Sequence, residues 1–343
     1  MRLDAPTGSC EIILDGDMER LKERCGADSR IAVITDSNVN RIYGQRLKAL
    51  GAVDMIEMKP GEGNKTLATV ERIYERFLEL GLERSDFVVG VGGGIVCDVT
   101  GFAASTYLRG VRFGFVPTTL LAQVDAGVGG KNGVNLQGYK NLVGTIRQPE
   151  FCLVDFSLLK TLPESELRNG FAEVVKSAAI GDPGLFAYLE DNWQKAFALD
   201  KAAIRKVVHD SLAVKIMIVQ ADEGERNERM KLNFGHTIGH ALEKATKMPH
   251  GEAISIGMVV AANLSVEKKL LARKDAERLC SLLKRIGLPT KPDMDAEAVK
   301  EAIGKDKKMS GGEVRMVLLE GLGKARIASI SLDEIRGVVD DLC

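Results

Sequence analysis

Short apolar runs alternate with amphipathic stretches in the first half of the chain. Four runs contain almost no polar side chain, which is typical of strands that a sheet buries on both faces. These runs are residues 31–35 (IAVIT), 87–92 (FVVGVG), 113–117 (FGFVP) and 151–155 (FCLVD). Residues 66–81 instead repeat apolar positions with a helical period and end on a glycine. Strands that alternate with helices predict an α/β unit with a parallel sheet.

The second half of the chain has a helical pattern almost throughout, from about residue 160. Residues 201–223 and 252–274 are two such segments, and residues 314–319 (VRMVLL) form a late strand candidate. The pattern changes over residues 156–163, where Pro163 interrupts the chain. The sequence therefore predicts two domains, an α/β domain over residues 1–158 and a mostly α-helical domain over residues 159–343.

Composition and charge argue against a nucleic-acid-binding, membrane-spanning or disulfide-bonded protein. The 343 residues carry 47 basic and 48 acidic side chains, and a net charge of −1 gives no electrostatic footprint for nucleic acid. No apolar stretch approaches the ~18 residues of a membrane span, and the N-terminus lacks a signal-peptide pattern. Six cysteines without a C-x-x-C pair indicate reduced thiols. We therefore expect a cytoplasmic protein with no nucleic-acid or membrane partner.

A glycine run follows the second predicted strand. Residues 90–98 (GVGGGIVCD) lead from this strand into a helix, where free main-chain amides and the helix dipole favour a phosphate group. Ile95 stands where the dinucleotide-binding fingerprint has its third glycine. The run ends a strand, which is where open α/β sheets bind their ligands. A tight strand-to-helix turn without a ligand explains the same residues, so both interpretations stay open.

Three of the four histidines lie close together in the sequence. His236 and His240 share one face if their segment is helical, and His250 follows Pro249, while His209 lies apart. Thr237 excludes the H-E-x-x-H pattern of metalloproteases. The cluster predicts a metal or catalytic site, with hydrogen-bonded core histidines as the alternative. The spacing alone does not say which histidines would bind a metal.

Charged residues in apolar or glycine-rich surroundings are the remaining candidates. Glu173 and Lys176 lie one turn apart in an apolar helix, either as a solvated ion pair or as the wall of a site. Several cations lie beside glycines or near the histidines, and together they could line an anion pocket despite the neutral total. These cations are Arg109, Lys131, Lys140, Lys215, Arg229 and the segment 305–308 (KDKK).

These segments, in this order, resemble the 3-dehydroquinate synthase family over essentially the whole chain. The matching segments are 92–110, 116–135, 140–144, 161–176 (TLPESELRNGFAEVVK), 232–243 (LNFGHTIGHALE) and 250–259. The resemblance implies a Rossmann-like N-terminal domain that binds NAD and a helical C-terminal domain that binds metal and substrate, with the active site between them. It also implies one divalent metal, zinc or alternatively cobalt, and a homodimer.

The reaction that the resemblance implies belongs to the shikimate pathway of aromatic amino acid and chorismate biosynthesis. A phosphate-eliminating carbon–oxygen lyase converts 3-deoxy-D-arabino-heptulosonate 7-phosphate to 3-dehydroquinate and phosphate. Transient oxidation by NAD, phosphate elimination, reduction and intramolecular aldol closure follow one another. The metal polarises the oxygen that is oxidised.

The resemblance also assigns roles to individual residues. The metal ligands would be Glu173, His236 and His250, which leaves His240 outside the ligand set. Proton transfer and catalysis would involve His240, Glu225, Lys131 and Lys176. At the substrate phosphate, the contacts would be Lys131, Lys140, Asn141, His240 and Lys307, and Arg109 would contact a phosphate in the partner subunit. The substrate carboxylate would contact Lys215 and Arg229, and the hydroxyls would contact Asp125, Lys176 and Asn233. Glu173 would also contact the substrate. The NAD contacts would be Asp36, Asn38, Glu62, Lys65, Gly93, Gly94, Ile95, Asp98, Thr118, Thr119, Lys131, Lys140, Thr161 and Asn169.

Two other enzyme classes compete with this assignment. Another sugar-phosphate cyclase, such as 2-deoxy-scyllo-inosose synthase, would have the same scaffold, but Lys215 and Arg229 favour a carboxylate-bearing substrate. A metal-dependent polyol dehydrogenase would also pair a glycine turn with histidine ligands, but the lysines near Gly130 and Gly138 favour a phosphate. A catalytically inactive binding protein would have lost a ligand or a phosphate lysine, and none is missing. Asn227 replaces a usual glycine of the family, which we attribute to asparagine's tolerance of positive φ.

Overall fold

The computed structural model describes residues 1–26, 29–50, 53–293 and 313–340. The chain forms two compact units, Met1–Leu162 and Pro163–Cys343. The sequence places the boundary between its two predicted domains after residue 158. None of the described helices has the length and apolarity that crossing a bilayer requires.

The first unit contains a seven-stranded sheet with the strand order β1-β2-β9-β6-β5-β3-β4. The strands of this unit are β1 (Arg2–Ala5), β2 (Gly8–Leu14), β3 (Ile31–Asp36), β4 (Val53–Met58), β5 (Phe87–Gly92), β6 (Arg112–Pro117), β7 (Lys131–Leu136), β8 (Tyr139–Ile146) and β9 (Phe151–Val154). β7 and β8 form a hairpin that is separate from the seven-stranded sheet. Its helices are α1 (Leu21–Cys25), α2 (Ser37–Ala49), α3 (Leu67–Glu79) and α4 (Gly94–Thr106). Neighbouring strands of the sheet run parallel except for β1 with β2. The four apolar runs are strands of this sheet, and residues 66–81 contain α3, so these predictions are confirmed.

The apolar runs become strands because helices and loops cover both faces of the sheet. Every residue of β5 and β9 is buried. Phe87, Val89 and Val91 of β5 pack into one core with Tyr43 and Leu47 of α2. Continuous burial removes the need for polar alternation, which explains why the sequence shows unbroken apolar runs.

The strand order creates a switch point between β3 and β5. The chain leaves β3 through α2 to reach β4 on one side, and it leaves β5 through α4 to reach β6 on the other side. In open parallel sheets, the carboxyl ends of strands at such a point border the crevice that binds ligands. Asp36 and the glycine run 92–94 therefore lie at this edge of the sheet.

The second unit is mostly helical and carries one β-hairpin. Its elements are α5 (Glu164–Gly181), α6 (Pro183–Phe197), α7 (Lys201–Ala221), α8 (His236–Thr246), α9 (His250–Glu267), α10 (Arg273–Ile286), β10 (Glu313–Gly321), β11 (Lys324–Ser331) and α11 (Leu332–Asp340). α9 is buried along most of its length and packs against α5, α8, α10 and β10. An apolar surface on every side of a helix is typical of such a central position.

The predicted helix over 252–274 is wrong at both ends. α9 begins at His250, directly after Pro249, and it ends at Glu267. Lys269 then adopts a left-handed conformation with a φ of 58°, and the amides of Leu270 and Leu271 bond to the carbonyl of Ser265. α10 starts only at Arg273, because this tight turn ends the first helix despite the continuing apolar pattern.

Candidate functional site

Two helices that touch main chain to main chain bring the histidine cluster together. A β-carbon on Gly257 of α9 would overlap the carbonyl of Gly235, the residue that precedes α8. Gly235 also has a φ of 79°, in the left-handed region that favours glycine. A β-carbon on Gly239 would lie 2.7 Å from Ile254 Cδ1. The glycines therefore permit the close approach that puts the histidines of α8 beside the first turn of α9.

A third helix approaches α9 at the same end. The amide of Gly251 donates a short hydrogen bond to the side-chain oxygen of Asn169 in α5. A β-carbon on Gly251 would overlap the main chain of Asn169. Because Glu173 lies one turn after Asn169, this contact places its carboxylate next to His250. Asn169 thus has a structural role that is independent of its predicted contact with NAD.

Glu173, His236 and His250 form a compact group. Oε1 of Glu173 lies 3.6 Å from Nε2 of His236 and 3.4 Å from Nε2 of His250. Ligand atoms of the three residues all lie within 4.8 Å of one another. Around a tetrahedral zinc ion with bonds of 2.0–2.2 Å, ligand atoms lie about 3.4 Å apart. The spacing of this group thus matches that of a ligand set.

The Glu173 carboxylate is completely buried in a positive environment. Lys176, one turn further along α5, forms a close ion pair with it and is itself 2% exposed. Burial raises the pKa of Glu173, but Lys176 and the two histidines outweigh this effect and hold the pKa well below its ordinary value. The pair is therefore buried, and the alternative of a solvated ion pair is wrong.

The two histidines of the group present Nε2 to Glu173 and have different partners behind them. Nδ1 of His236 lies 3.1 Å from the carbonyl of Phe234, and Nδ1 of His250 lies 3.6 Å from Oε2 of Glu243. Burial, helped by the charge of Lys176, lowers the pKa of His236 to about 3. Burial also lowers the pKa of His250, but Glu173 and Glu243 outweigh it and raise the pKa to about 9.

These residues fit a divalent cation. Neither oxygen of Glu173 accepts a hydrogen bond from the described residues, although both are buried. Lys176 pairs with Oε2, whereas Oε1 faces one nitrogen of each imidazole, so a cation at Oε1 would have three ligand atoms around it. In a second group, ligand atoms of His240, Glu243 and His250 also lie within 4.8 Å of one another, but these residues are less buried. The ring of His240 lies 5.2 Å from that of His236 and 6.2 Å from that of His250.

Further predicted residues of the second unit surround the turn after α7. Lys215 and Arg229 are buried cations, and Arg229 donates through Nη1 to the carbonyl of Glu223. The Asn233 amide donates to Oε1 of Glu225 at 2.5 Å. Asn227 has a φ of −147°, so our explanation by positive φ is wrong. The left-handed residue of this turn is Glu225, with a φ of 56°.

In the first unit, predicted cofactor residues follow the carboxyl ends of neighbouring parallel strands. Gly93 is the N-cap of α4 and has no side chain to cap it, and Gly94 and Ile95 open that helix. The Asp36 carboxylate accepts from the amides of Asn38 and Val39, so it caps α2. Thr118 and Thr119 directly follow β6. The glycine run is thus a strand-to-helix turn at the switch point, and it presents the first main-chain amides of α4 there.

A polar cluster around the buried Lys65 joins three residues that the sequence assigns separately. Lys65 Nζ donates to a carboxylate oxygen of Asp98 and to Oδ1 of Asn141. Burial raises the pKa of Asp98, although Lys65 pulls it down, and the negative charges of Glu62 and Asp125 raise it further. Lys65, Asp98 and Asn141 therefore act as one group, with Glu62 and Asp125 near enough to influence it.

The remaining predicted residues have diverse settings. Lys131 begins β7 and is exposed, as is Lys140 on β8. Arg109 is exposed with a φ of 65°, and Thr161 bonds to the hydroxyl of Tyr43 at 2.6 Å. Lys307, with the rest of segment 305–308, lies outside the described residues.

Sequence reasoning missed two residues of these networks. Asn135 of β7 donates to Oε1 of Glu62, and its Oδ1 accepts from the amide of Asn141. Glu243 lies two turns after His236 and one turn after His240 on α8. The spacing H-x-x-x-H-x-x-E was the available signal for Glu243, because it marks one face of a helix.

Comparison with known proteins identifies the family. Models described as 3-dehydroquinate synthase N-terminal and C-terminal match residues 55–169 and 170–309. The 3-dehydroquinate synthase of Thermoanaerobacter pseudethanolicus is 41% identical over 320 residues, which are 91% of this chain and 90% of the relative.

Two solved structures share the fold over nearly their whole length. The 2-deoxy-scyllo-inosose synthase structure with carbaglucose-6-phosphate, NAD+ and Co2+ has a TM-score of 0.90 at 27% identity and covers 100% of both chains. The 2-epi-5-epi-valiolone synthase of Streptomyces hygroscopicus subsp. jinggangensis, with NAD+ and Zn2+ bound, has a TM-score of 0.89 at 27% identity and covers 97% of this chain and 96% of the other. The family models and the sequence relative agree with the motifs of this chain, which belongs to the 3-dehydroquinate synthase family.

Proposed function

We propose that this chain converts 3-deoxy-D-arabino-heptulosonate 7-phosphate to 3-dehydroquinate and inorganic phosphate, as a phosphate-eliminating lyase that depends on NAD and one divalent metal. The observation that carries the proposal is the buried group of Glu173, His236 and His250. Its spacing suits a metal, and Lys176 adds a buried charge beside it. NAD would be regenerated in each turnover and would remain catalytic rather than be consumed.

The proposal assigns both cofactors to residues that the structure describes. Bound NAD would supply a reversible hydride acceptor, and a divalent ion held by Glu173, His236 and His250 would supply a Lewis acid for a substrate oxygen. The amides of Gly93, Gly94 and Ile95 would bind the pyrophosphate, because they open a helix at the switch point of the sheet. Further NAD contacts would come from residues at or after the carboxyl ends of β3, β4, β5 and β6: Asp36, Asn38, Glu62, Lys65, Asp98, Thr118 and Thr119.

The substrate would be held by its two anionic groups and its hydroxyls. Lys215 and Arg229 are buried cations on neighbouring segments of one unit, which suits a carboxylate. Lys131, Lys140, Asn141, His240 and Lys307 would bind the phosphate, and Asp125, Lys176 and Asn233 the hydroxyls. These groups orient the substrate and neutralise its charge, which is the main work of the protein in such a reaction.

Proton transfer would be the task of Glu225 and His240. The hydrogen bond from Asn233 to Oε1 fixes the Glu225 carboxylate in place. His240 faces His236 and His250 across 5–6 Å between ring centres, and it is outside the proposed ligand set. His240 could therefore accept or return a proton without giving up a metal bond.

A cytoplasmic homodimer completes the proposal. Among the described residues, Cys10, Cys25, Cys97, Cys152 and Cys280 form no disulfide, which suits a reducing compartment. Arg109 would reach a phosphate bound by the partner subunit. Two chains that are each inactive, one with Arg109→Ala and one with His250→Ala, should then recover part of the activity when they are mixed as heterodimers. Loss of activity in every mixture would contradict the shared site.

The test is a balance of products at low NAD. The chain is incubated with zinc, the heptulosonate phosphate and NAD at one hundredth of the substrate concentration. We expect phosphate and 3-dehydroquinate in equal amounts and in large excess over NAD. Release of phosphate from glucose 6-phosphate instead would favour another sugar-phosphate cyclase. NADH formed in proportion to an oxidised polyol, without phosphate, would place the chain among the dehydrogenases.

A further inference from the structure

We propose that Glu243 is a positioning residue that fixes the ring and the tautomer of His250 for metal binding. The inference rests on the metal site of the proposed function. His250 lies between two carboxylates, with Nε2 at 3.4 Å from Oε1 of Glu173 and Nδ1 at 3.6 Å from Oε2 of Glu243. A ring that gives Nε2 to a metal must carry its proton on Nδ1, and Glu243 is the acceptor on that side.

The helix geometry explains why Glu243 reaches His250. Residues four and seven positions apart share one face of a helix, so His236, His240 and Glu243 form a single stripe on α8. The glycine contacts between α8 and α9 bring this stripe against His250, the first residue of α9. The Glu243 side chain is 13% exposed and the His250 side chain 27%, so solvent weakens their interaction only partly.

The two histidine ligands therefore have unequal support. His236 has a neutral main-chain carbonyl behind its ring, that of Phe234 at 3.1 Å. His250 has a charged carboxylate, which makes the imidazole a stronger donor and adds negative charge near the cation. At 3.6 Å the carboxylate acts on the ring through its charge, which favours the tautomer with the proton on Nδ1. Loss of this carboxylate should therefore weaken metal binding although Glu243 is not itself a ligand.

Glu243 could instead be a ligand of a second ion, with His240 and His250. That ion would have to use Nδ1 of His250, since this is the nitrogen that faces Glu243. One imidazole can serve two cations only after it loses both ring protons, which is costly near neutral pH. The geometry thus favours an outer partner of one metal over a second metal site.

The test compares metal binding in Glu243→Gln, Glu243→Ala and a control, Glu267→Ala, at the other end of α9, where the glutamate is exposed. Zinc affinity is measured by competition with a chelator at several pH values, so that proton competition at His250 is separated from metal affinity, and the coordination is measured by the absorption spectrum of the cobalt form. Removing such an outer partner typically weakens metal affinity about 10- to 100-fold. We expect a loss of about tenfold in Glu243→Gln, a larger loss in Glu243→Ala, and a shifted cobalt spectrum in both. The control should match the wild type, and the metal-free Glu243 variants should melt slightly lower, because they lose the contact between Glu243 and the His250 ring.

Several results would overturn the inference. Wild-type zinc affinity and an unchanged cobalt spectrum in Glu243→Gln would do so even if Glu243→Ala failed to fold. Two ions per wild-type chain that fall to one in Glu243→Ala would make Glu243 a ligand instead. A wild-type chain that binds no divalent ion would remove the proposed metal site, and with it this role. Retained affinity in the variants would remove only the role of Glu243.

Discussion

The main-chain carbonyl of Gly235 lies directly against Gly257, with no room for a β-carbon between α8 and α9. This contact sets the distance between the histidines of α8 and the first turn of α9. His236 and His250 come from different helices, yet both present Nε2 to the same carboxylate oxygen. The metal site is thus a consequence of how closely two helix backbones can pack.

Gly257→Ala should push these two helices apart. Overpacking of a tight core typically costs about 1–3 kcal/mol, and here the obstacle is main chain that cannot rotate away. We expect a lower free energy of unfolding in urea and a weaker zinc affinity. The matched control is Gly337→Ala in α11, where a β-carbon would meet nothing within 4 Å. Alanine in an exposed helix should stabilise that variant by up to about 1 kcal/mol. Equal stability and zinc affinity in Gly257→Ala and wild type would refute the packing argument.

Metal binding should release a proton from His250. With no metal bound, the two flanking carboxylates raise the pKa of His250 to about 9, so the ring is protonated at neutral pH. His236, with its pKa lowered to about 3, is already neutral there. A metal must therefore displace one proton, and its apparent affinity should fall about tenfold for each pH unit between pH 8 and pH 6. Calorimetry in buffers of different ionisation enthalpy counts this proton. An affinity that does not change over this range would show that His250 is not a ligand.

Lys215→Met should affect substrate binding without unfolding the chain. Methionine fills a similar volume, but it removes a buried positive charge that we assign to the substrate carboxylate. We expect kcat/KM for the heptulosonate phosphate to fall by about 100-fold or more, since a charge-assisted hydrogen bond contributes about 1.5–3 kcal/mol and leaves its partner unpaired. Lys206→Met on the same helix is the control, because Lys206 is exposed and pairs with Asp210. Equal values of kcat/KM in the two variants would show that Lys215 does not bind the substrate carboxylate.

The sequence predicted those parts of the fold that are buried continuously. Residues 31–35 and 87–92 are recognisable as strands because both of their faces are covered. The hairpin β7–β8 escaped prediction, since β8 is exposed at most positions and carries no apolar repeat. β4 was also missed, because Asp54 and Glu57 leave it with neither an unbroken apolar run nor a strict alternation. The break after α9 depends on one left-handed residue, Lys269, which the apolar pattern does not reveal.

The site was predictable in its residue types but not in its geometry. Histidine spacing indicated a metal or catalytic cluster, and only the family resemblance separated His240 from the ligands. Glu173 is more than 60 residues away from His236 in sequence, so no local pattern could join them. The contact of Asn169 with Gly251 and the role of Glu243 follow from helix packing, which a sequence pattern does not describe.

The most direct test of this account is a zinc titration of phosphate release. The chain is freed of metal with a chelator, supplied with NAD and the heptulosonate phosphate, and then given zinc in known amounts. We predict that phosphate release is absent at first, rises in proportion to zinc and stops rising at one ion per chain. His250→Ala should show no release at any of these concentrations. Full activity in the metal-free chain, or in His250→Ala, would contradict the central claim that Glu173, His236 and His250 hold the catalytic metal.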